Sequence, residues 1–118
     1  MAAATDNWKT QIRKGYLELC ILQLIKHQGK VYGFDLLEQL SAVSLEVKEG
    51  TLYPLLNRMS ADGLLAATWD TENLKGHPRK FYSLTKDGSR FLEEMGQAFM
   101  QMVAIYQKLG KPKKVGSL

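Results

Sequence analysis

The stretch TLYPLLNRM, residues 51–59, leaves Thr51, Tyr53, Asn57 and Arg58 over once its leucines and methionine are assigned to a buried helix face. These residue types suit hydrogen bonding to a nucleic acid. An asparagine amide pairs bidentately with adenine and a guanidinium with guanine, while threonine and tyrosine suit phosphate or thymine-methyl contacts. Further on, Lys75 and the run GHPRKFYSLTKDG (76–88) add Arg79 and Lys80 between turn signals, as a basic arm able to grip phosphate. Each residue also has a plain structural role. Asn57 and Arg58 suit any solvated helix face, a buried Tyr53 needs a partner for its hydroxyl, and cations on a hairpin protect its edge. Their conjunction is what points to a nucleic acid.

Catalytic and metal chemistry find little support. His27 and His77 are the only histidines and Cys20 the only cysteine, and no nucleophile, base and orienting group recur at suggestive sites. The expectation is no enzyme, no metal and no cofactor. Cys20 lies in LELCILQLI, where a small buried hydrophobe is expected.

With 118 residues the chain suffices for one domain, and 45% hydrophobic with 24% charged residues argues against wholesale disorder. The formal charge of +4 is matched by Lys108, Lys111, Lys113 and Lys114 alone, so the body is formally neutral. Any affinity for a polyanion must therefore rest on local clusters. No apolar core marks a secretory signal, and Gln23 interrupts the longest apolar stretch well short of a membrane span, so a cytoplasmic protein with no membrane partner is expected.

Helices must position these side chains. Residues 14–28 carry Leu17, Ile21, Leu24 and Ile25 at helical spacing, widened by Tyr16, Cys20 and Leu22. Gly29 is a natural stop, and Gly33 permits re-entry into a second helix, FDLLEQLSAVS, with Phe34, Leu37, Leu40 and Ala42 inward. A third helix over 49–62 repeats Leu52, Leu55, Leu56 and Met59 at threes and fours. Its start between Lys48 and Thr51 places Pro54 in the opening turns, where amides have no internal partner, and Gly63 ends it. LLAATWDT and RKFYSLT predict a β-hairpin with ENLKGHP as its exposed loop. Thr85 is the expected N-cap of a final helix over 86–110, with Asp87 near the positive end of its dipole.

On that last helix Leu92, Met95, Phe99, Met102, Tyr106 and Leu109 form a heptad seam, with Phe91, Ala98 and Ile105 beside it. The stripe is wider than packing on one small domain requires, so the helix is expected to pair or exchange across a two-fold axis rather than serve only as intramolecular core. The fold class is mainly α with a small β-hairpin. It divides into a winged helix-turn-helix domain with an N-terminal helix over 1–85, a C-terminal dimerisation helix over 86–110 and a flexible basic tail over 111–118.

VYGFDLLEQL, EGTLYPLLNRMSADGLL and GHPRKFYSLTKDG together resemble the PadR family of bacterial transcriptional regulators, in its short branch with one C-terminal helix, over roughly residues 12–109. The resemblance implies a homodimer, usually a repressor, that binds an inverted-repeat operator in double-stranded DNA through the 49–62 helix and the 72–80 wing. Tyr32 matches the tyrosine of the family's first turn, Thr51, Leu52 and Tyr53 its recognition-helix motif, and Arg79, Lys80, Phe81 and Tyr82 its wing strand. Some short members bind a small aromatic effector between subunits by means of a tryptophan on the terminal helix. Phe99 matches that position; it keeps a stacking face but loses the indole N–H. Ligand binding by that route is therefore not implied by the resemblance; Trp8 on the N-terminal helix and Met95 are the further candidates for a ligand-binding set with Phe99. The competing reading is a winged-helix module that binds protein instead of DNA, because the fold serves both uses.

Overall fold

The computed structural model describes residues 2–72 and 79–112. Helices α1 (Ala2–Gln28), α2 (Gly33–Ala42), α3 (Glu49–Ala61) and α4 (Lys86–Leu109) combine with strands β1 (Val31–Tyr32), β2 (Leu65–Asp70) and β3 (Arg79–Leu84). The strands form one antiparallel sheet in the order β1-β3-β2. The mainly α winged-helix class read from the sequence holds.

The core gathers one face of each helix: Leu17, Ile21, Leu22 and Ile25 from α1, Leu36 and Leu40 from α2, Leu52, Leu56 and Met59 from α3, and Leu92 from α4. Leu65 and Tyr82 join them from the sheet. Removing such side chains from water at about 25 cal/mol per Å² is the main force holding the three-helix body to the sheet. Thr85 caps α4 as expected, its Oγ1 accepting from the Gly88 amide at 2.9 Å. The same hydroxyl donates to the Gly63 carbonyl at 2.6 Å, and the Thr85 amide donates to the Leu64 carbonyl at 3.2 Å. The start of α4 is therefore fastened to the end of α3. That end is a Schellman turn, in which Gly63 at φ 81° donates to the Ser60 carbonyl and Leu64 to the Met59 carbonyl.

Three expectations need correction. The first helix begins at Ala2, not near residue 14. The added segment has no breaker, but Trp8 and Ile12 on it are exposed, so no buried stripe announces it, and Tyr16, expected to widen the apolar face of 14–28, is exposed as well. In α2, Phe34 and Ala42 point outward while Leu36 is fully buried, because the inward positions Gly33, Leu36 and Leu40 step from Gly33. The hairpin is also a three-stranded sheet. Val31 and Tyr32, in a stretch that reads as turn punctuation, pair with Tyr82 and Phe81.

Candidate nucleic-acid interface

Helix α3 buries Leu52, Leu56 and Met59 and leaves Thr51, Pro54, Asn57 and Arg58 exposed. Tyr53 is half-buried, its ring so close to Gly33 that a β-carbon there would meet Cε1 at 2.8 Å. Burial pushes its hydroxyl above the ordinary phenol value. Thr51 and Asn57 are thus accessible, whereas Tyr53 is half-buried with its ring against Gly33 at the start of α2. Arg58 is accessible but engaged. Its Nη2 donates to Glu18 Oε1 on α1, and its Nη1 lies 3.7 Å from Asp62 Oδ2. Beside it runs a groove of about 770 Å³ between α1 and α3, lined by Arg13, Lys14, Leu17, Val47, Leu55 and Arg58 among others.

The wing presents different cations on its two faces. Trp69 pairs with Lys80, Ala67 with Tyr82 and Leu65 with Leu84. Since Leu65 and Tyr82 are buried against the helices, Trp69 and Lys80 lie on that same face beyond the core, with Lys80 Nζ 4.9 Å from the indole centroid. Arg79 and Phe81 alternate to the other face. There Tyr32 meets Phe81 edge-on at 5.6 Å, the Arg79 guanidinium lies 5.5 Å from the Tyr32 ring, and Lys30 Nζ lies 4.4 Å from the Phe81 ring.

Tyr32 also fastens the wing. Its hydroxyl donates to Asp70 Oδ2 at 2.5 Å, while the Glu72 amide donates to Oδ1 at 3.1 Å. The Tyr32 bond, then the Glu72 amide, hold the Asp70 carboxyl below its usual value, and the same carboxylate raises the Tyr32 hydroxyl. The depressed carboxyl contributes stability above its ordinary pKa that is lost as pH falls through the folded value. The raised phenol contributes below its ordinary pKa and loses this as pH rises through the folded value, so the contact is fully present at neutral pH. Tyr32→Phe is expected to move the Asp70 pKa upward, in a carboxyl-carbon NMR titration, while the Glu72 amide keeps part of the depression. An unmoved Asp70 titration would show that the hydroxyl does not anchor the wing.

Of the DNA-binding residues expected from sequence, the fold brings Tyr32 and Arg79 together, places Lys80 on the opposite wing face and sets Thr51, Asn57 and Arg58 on α3. Lys75 and the wing tip lie outside the described residues, as does the tail from residue 113 onward. Sequence reasoning missed Lys30, Trp69 and Glu18. Strand alternation outward from Tyr82 would have marked Trp69 once the pairing was known.

On α4 the expected seam divides. Leu92 is buried in the chain's own core, and Phe99 is half-buried against Tyr16 of α1, their centroids 5.7 Å apart. Met95, Met102, Tyr106 and Leu109 are exposed, together with Ile105. Within one chain Phe99 meets Tyr16 rather than Trp8, which is exposed two turns earlier on α1 and borders a hollow with Ser41, Ser44 and Leu45. Among the described residues no group of three or more histidine, cysteine or acidic side chains could hold a metal ion, and no helix is long and apolar enough to cross a membrane.

Comparison with known proteins places this architecture. The family described as the transcriptional regulator PadR-like family matches residues 21–94. Transcriptional regulator Rv3488 of Mycobacterium tuberculosis is 34% identical over 83 residues, covering 69% of this chain and 76% of its own. The crystal structure of a PadR family transcriptional regulator from Eggerthella lenta superposes with a TM-score of 0.82 at 28% identity, covering 95% of this chain and 96% of that one. The fold extends at 19% identity and a TM-score of 0.61 to Bacillus subtilis PadR in complex with operator DNA, over 87% of this chain and 50% of that longer one. The matched family consists of transcriptional regulators, not enzymes. A match across more than half of its length, on a winged-helix scaffold, makes this chain a member of the PadR-like family of transcriptional regulators.

Proposed function

We propose that the protein is a cytoplasmic homodimeric repressor that reads an inverted-repeat operator, with α3 in the major groove and the β2–β3 wing against the flanking backbone. The observation that carries this is the placement of Thr51, Asn57 and Arg58 on the open face of α3, beside a wing bearing Lys80 and Arg79. The body is formally neutral, so this local grouping supplies the attraction. The operator complex of the Bacillus subtilis relative supports the same reading. Asn57 and Arg58 specify bases, Thr51 contacts phosphate, and Arg79, Lys80 and Lys75 grip the backbone without reading sequence. Tyr53 and Tyr32 act by holding α3 and the wing in position.

The exposed row Met95, Met102, Tyr106 and Leu109, together with Phe99, pairs with a second copy, and a small flat aromatic effector enters between the subunits against Phe99, Met95 and Trp8 to release the operator. The exposure of so many large apolar side chains on α4, and of Trp8 on α1, supports this arrangement.

The test is fluorescence anisotropy on a duplex selected by the protein from a random pool, against a scrambled duplex, at two salt concentrations. Asn57→Ala is expected to weaken selected-duplex binding by about 10- to 100-fold, from a loss of about 1–3 kcal/mol, and to leave the scrambled duplex unaffected. Arg79→Ala is expected to weaken both equally and to lower the salt slope by about one unit. Unchanged affinity in Asn57→Ala would remove α3 as the reading element. A parent protein with no salt-sensitive DNA binding at all would favour a protein-binding winged helix.

A further inference from the structure

We infer that Glu18, on α1 and outside the DNA-contacting set, holds Arg58 back from DNA and lowers the affinity of the interface by competing for that guanidinium. The inference rests on the DNA-binding reading above.

The geometry is specific. Arg58 is the one arginine on α3, and its guanidinium is shared between Glu18 and Asp62 on the flank facing α1. The two carboxylates differ. Asp62 is as exposed as Arg58 itself, at 54%, and follows it by one helical turn; such surface pairs contribute little. The Glu18 side chain is only 21% exposed and adjoins Leu17, which is anchored in the core. Its carboxylate is thus held at a fixed place beside α3 by a rigid helix, and the ion pair needs little further ordering.

This has a consequence for the energetics of DNA contact. To touch DNA, the guanidinium must give up the Glu18 oxygen. A base-reading complex, with the guanidinium on the O6 and N7 edge of guanine, gives up the whole ion pair. A complex on a random sequence gives up at most as much, since Arg58 there either stays on Glu18 or exchanges it for the like-charged oxygens of a phosphate. Glu18 therefore acts as a latch whose cost falls at least as heavily on the selected duplex as on a scrambled one. The groove between α1 and α3 gives Arg58 room to swing between its two states, since it opens directly beside the side chain.

Glu18→Gln keeps the shape of the side chain and removes its charge. It is expected to tighten binding to the selected duplex about tenfold and binding to the scrambled duplex by no more than that, with the scrambled-duplex salt slope steeper by up to about one unit where Arg58 gains a phosphate. Arg58→Ala supplies the control. If Glu18 acts through Arg58, Glu18→Gln changes nothing in that background; if it simply repels the DNA, the gain persists there and the inference falls. An unchanged affinity for the selected duplex in Glu18→Gln, with parental melting behaviour, also overturns it. Glu18→Asp, which retains the charge one methylene short, should fall between parent and Glu18→Gln, and provides a second reading if the glutamine variant folds poorly. A parent that fails to bind either duplex overturns the functional reading itself, which separates that failure from this one.

Discussion

Met102→Asp is expected to reduce the light-scattering mass of the protein from two chains to one at micromolar concentration and to lower affinity for the selected duplex by more than about 100-fold. Met102 is 61% exposed on α4, and Tyr106 and Leu109 beyond it are more exposed still. On a two-fold seam the substitution acts twice, since each copy presents the same residue to its partner. Burying a lone carboxylate costs several kcal/mol after relaxation, and about 4 kcal/mol in total already shifts a dimer constant by three decades. Loss of the dimer separates the two reading helices, so each half-site must be bound independently. Because Met102 contributes nothing to the buried core of the single chain, the fold and its far-ultraviolet spectrum should remain parental. A variant that keeps the dimer mass would remove the outer half of α4 from the interface.

The second large effect concerns stability. Gly88 lies in the first turn of α4, where a β-carbon would stand 2.0 Å from the Leu64 carbonyl oxygen, a backbone atom with no freedom to move aside. That carbonyl also accepts from the Thr85 amide, so the junction between α3, β2 and α4 is fixed from both directions. Gly88→Ala must push α4 off the end of α3 or break the Thr85 cap. The expected loss is about 3 kcal/mol or more, at the upper end of overpacking costs, measured by urea unfolding. Gly96→Ala is the matched control within the same helix. A β-carbon there meets nothing within 4 Å in the single chain, so by helix propensity alone it should gain up to about 1 kcal/mol. Equal stability of the two variants would mean that the Leu64 approach is not fixed.

Much of this architecture is legible from local sequence because its causes are local. Leu52, Leu56 and Met59 repeat at helical spacing, Gly63 takes the left-handed turn that ends α3, and Thr85 caps α4 through the amide three residues on. Illegible features depend on distant partners. The Arg58 contact with Glu18 joins residues 40 apart, and the Tyr32 contact with Asp70 joins residues 38 apart, so no spacing rule predicts either. Phe34 departs from its expected inward place because it is as apolar as the leucines beside it, so composition alone does not separate it from Leu36, which takes the interior. The first half of α1 escaped notice because apolar periodicity detects a face buried within one chain. Trp8 and Ile12 have none to enter.

The central position of β3 governs how the wing moves in time. Phe81 and Tyr82 are laddered on both sides, to β1 and to β2, whereas Arg79 and Lys80 have a neighbour in β2 alone. Opening of the outer hairpin therefore breaks that one ladder and the Tyr32–Asp70 bond, and halts at the Tyr32–Phe81 pair before any helix is disturbed. Local opening of this kind draws on a small free energy, while the helices retain the full stability of the domain. Slow amide exchange should begin at Phe81, and an approaching duplex meets a finger held by one ladder and one hydroxyl on a palm held by the helices.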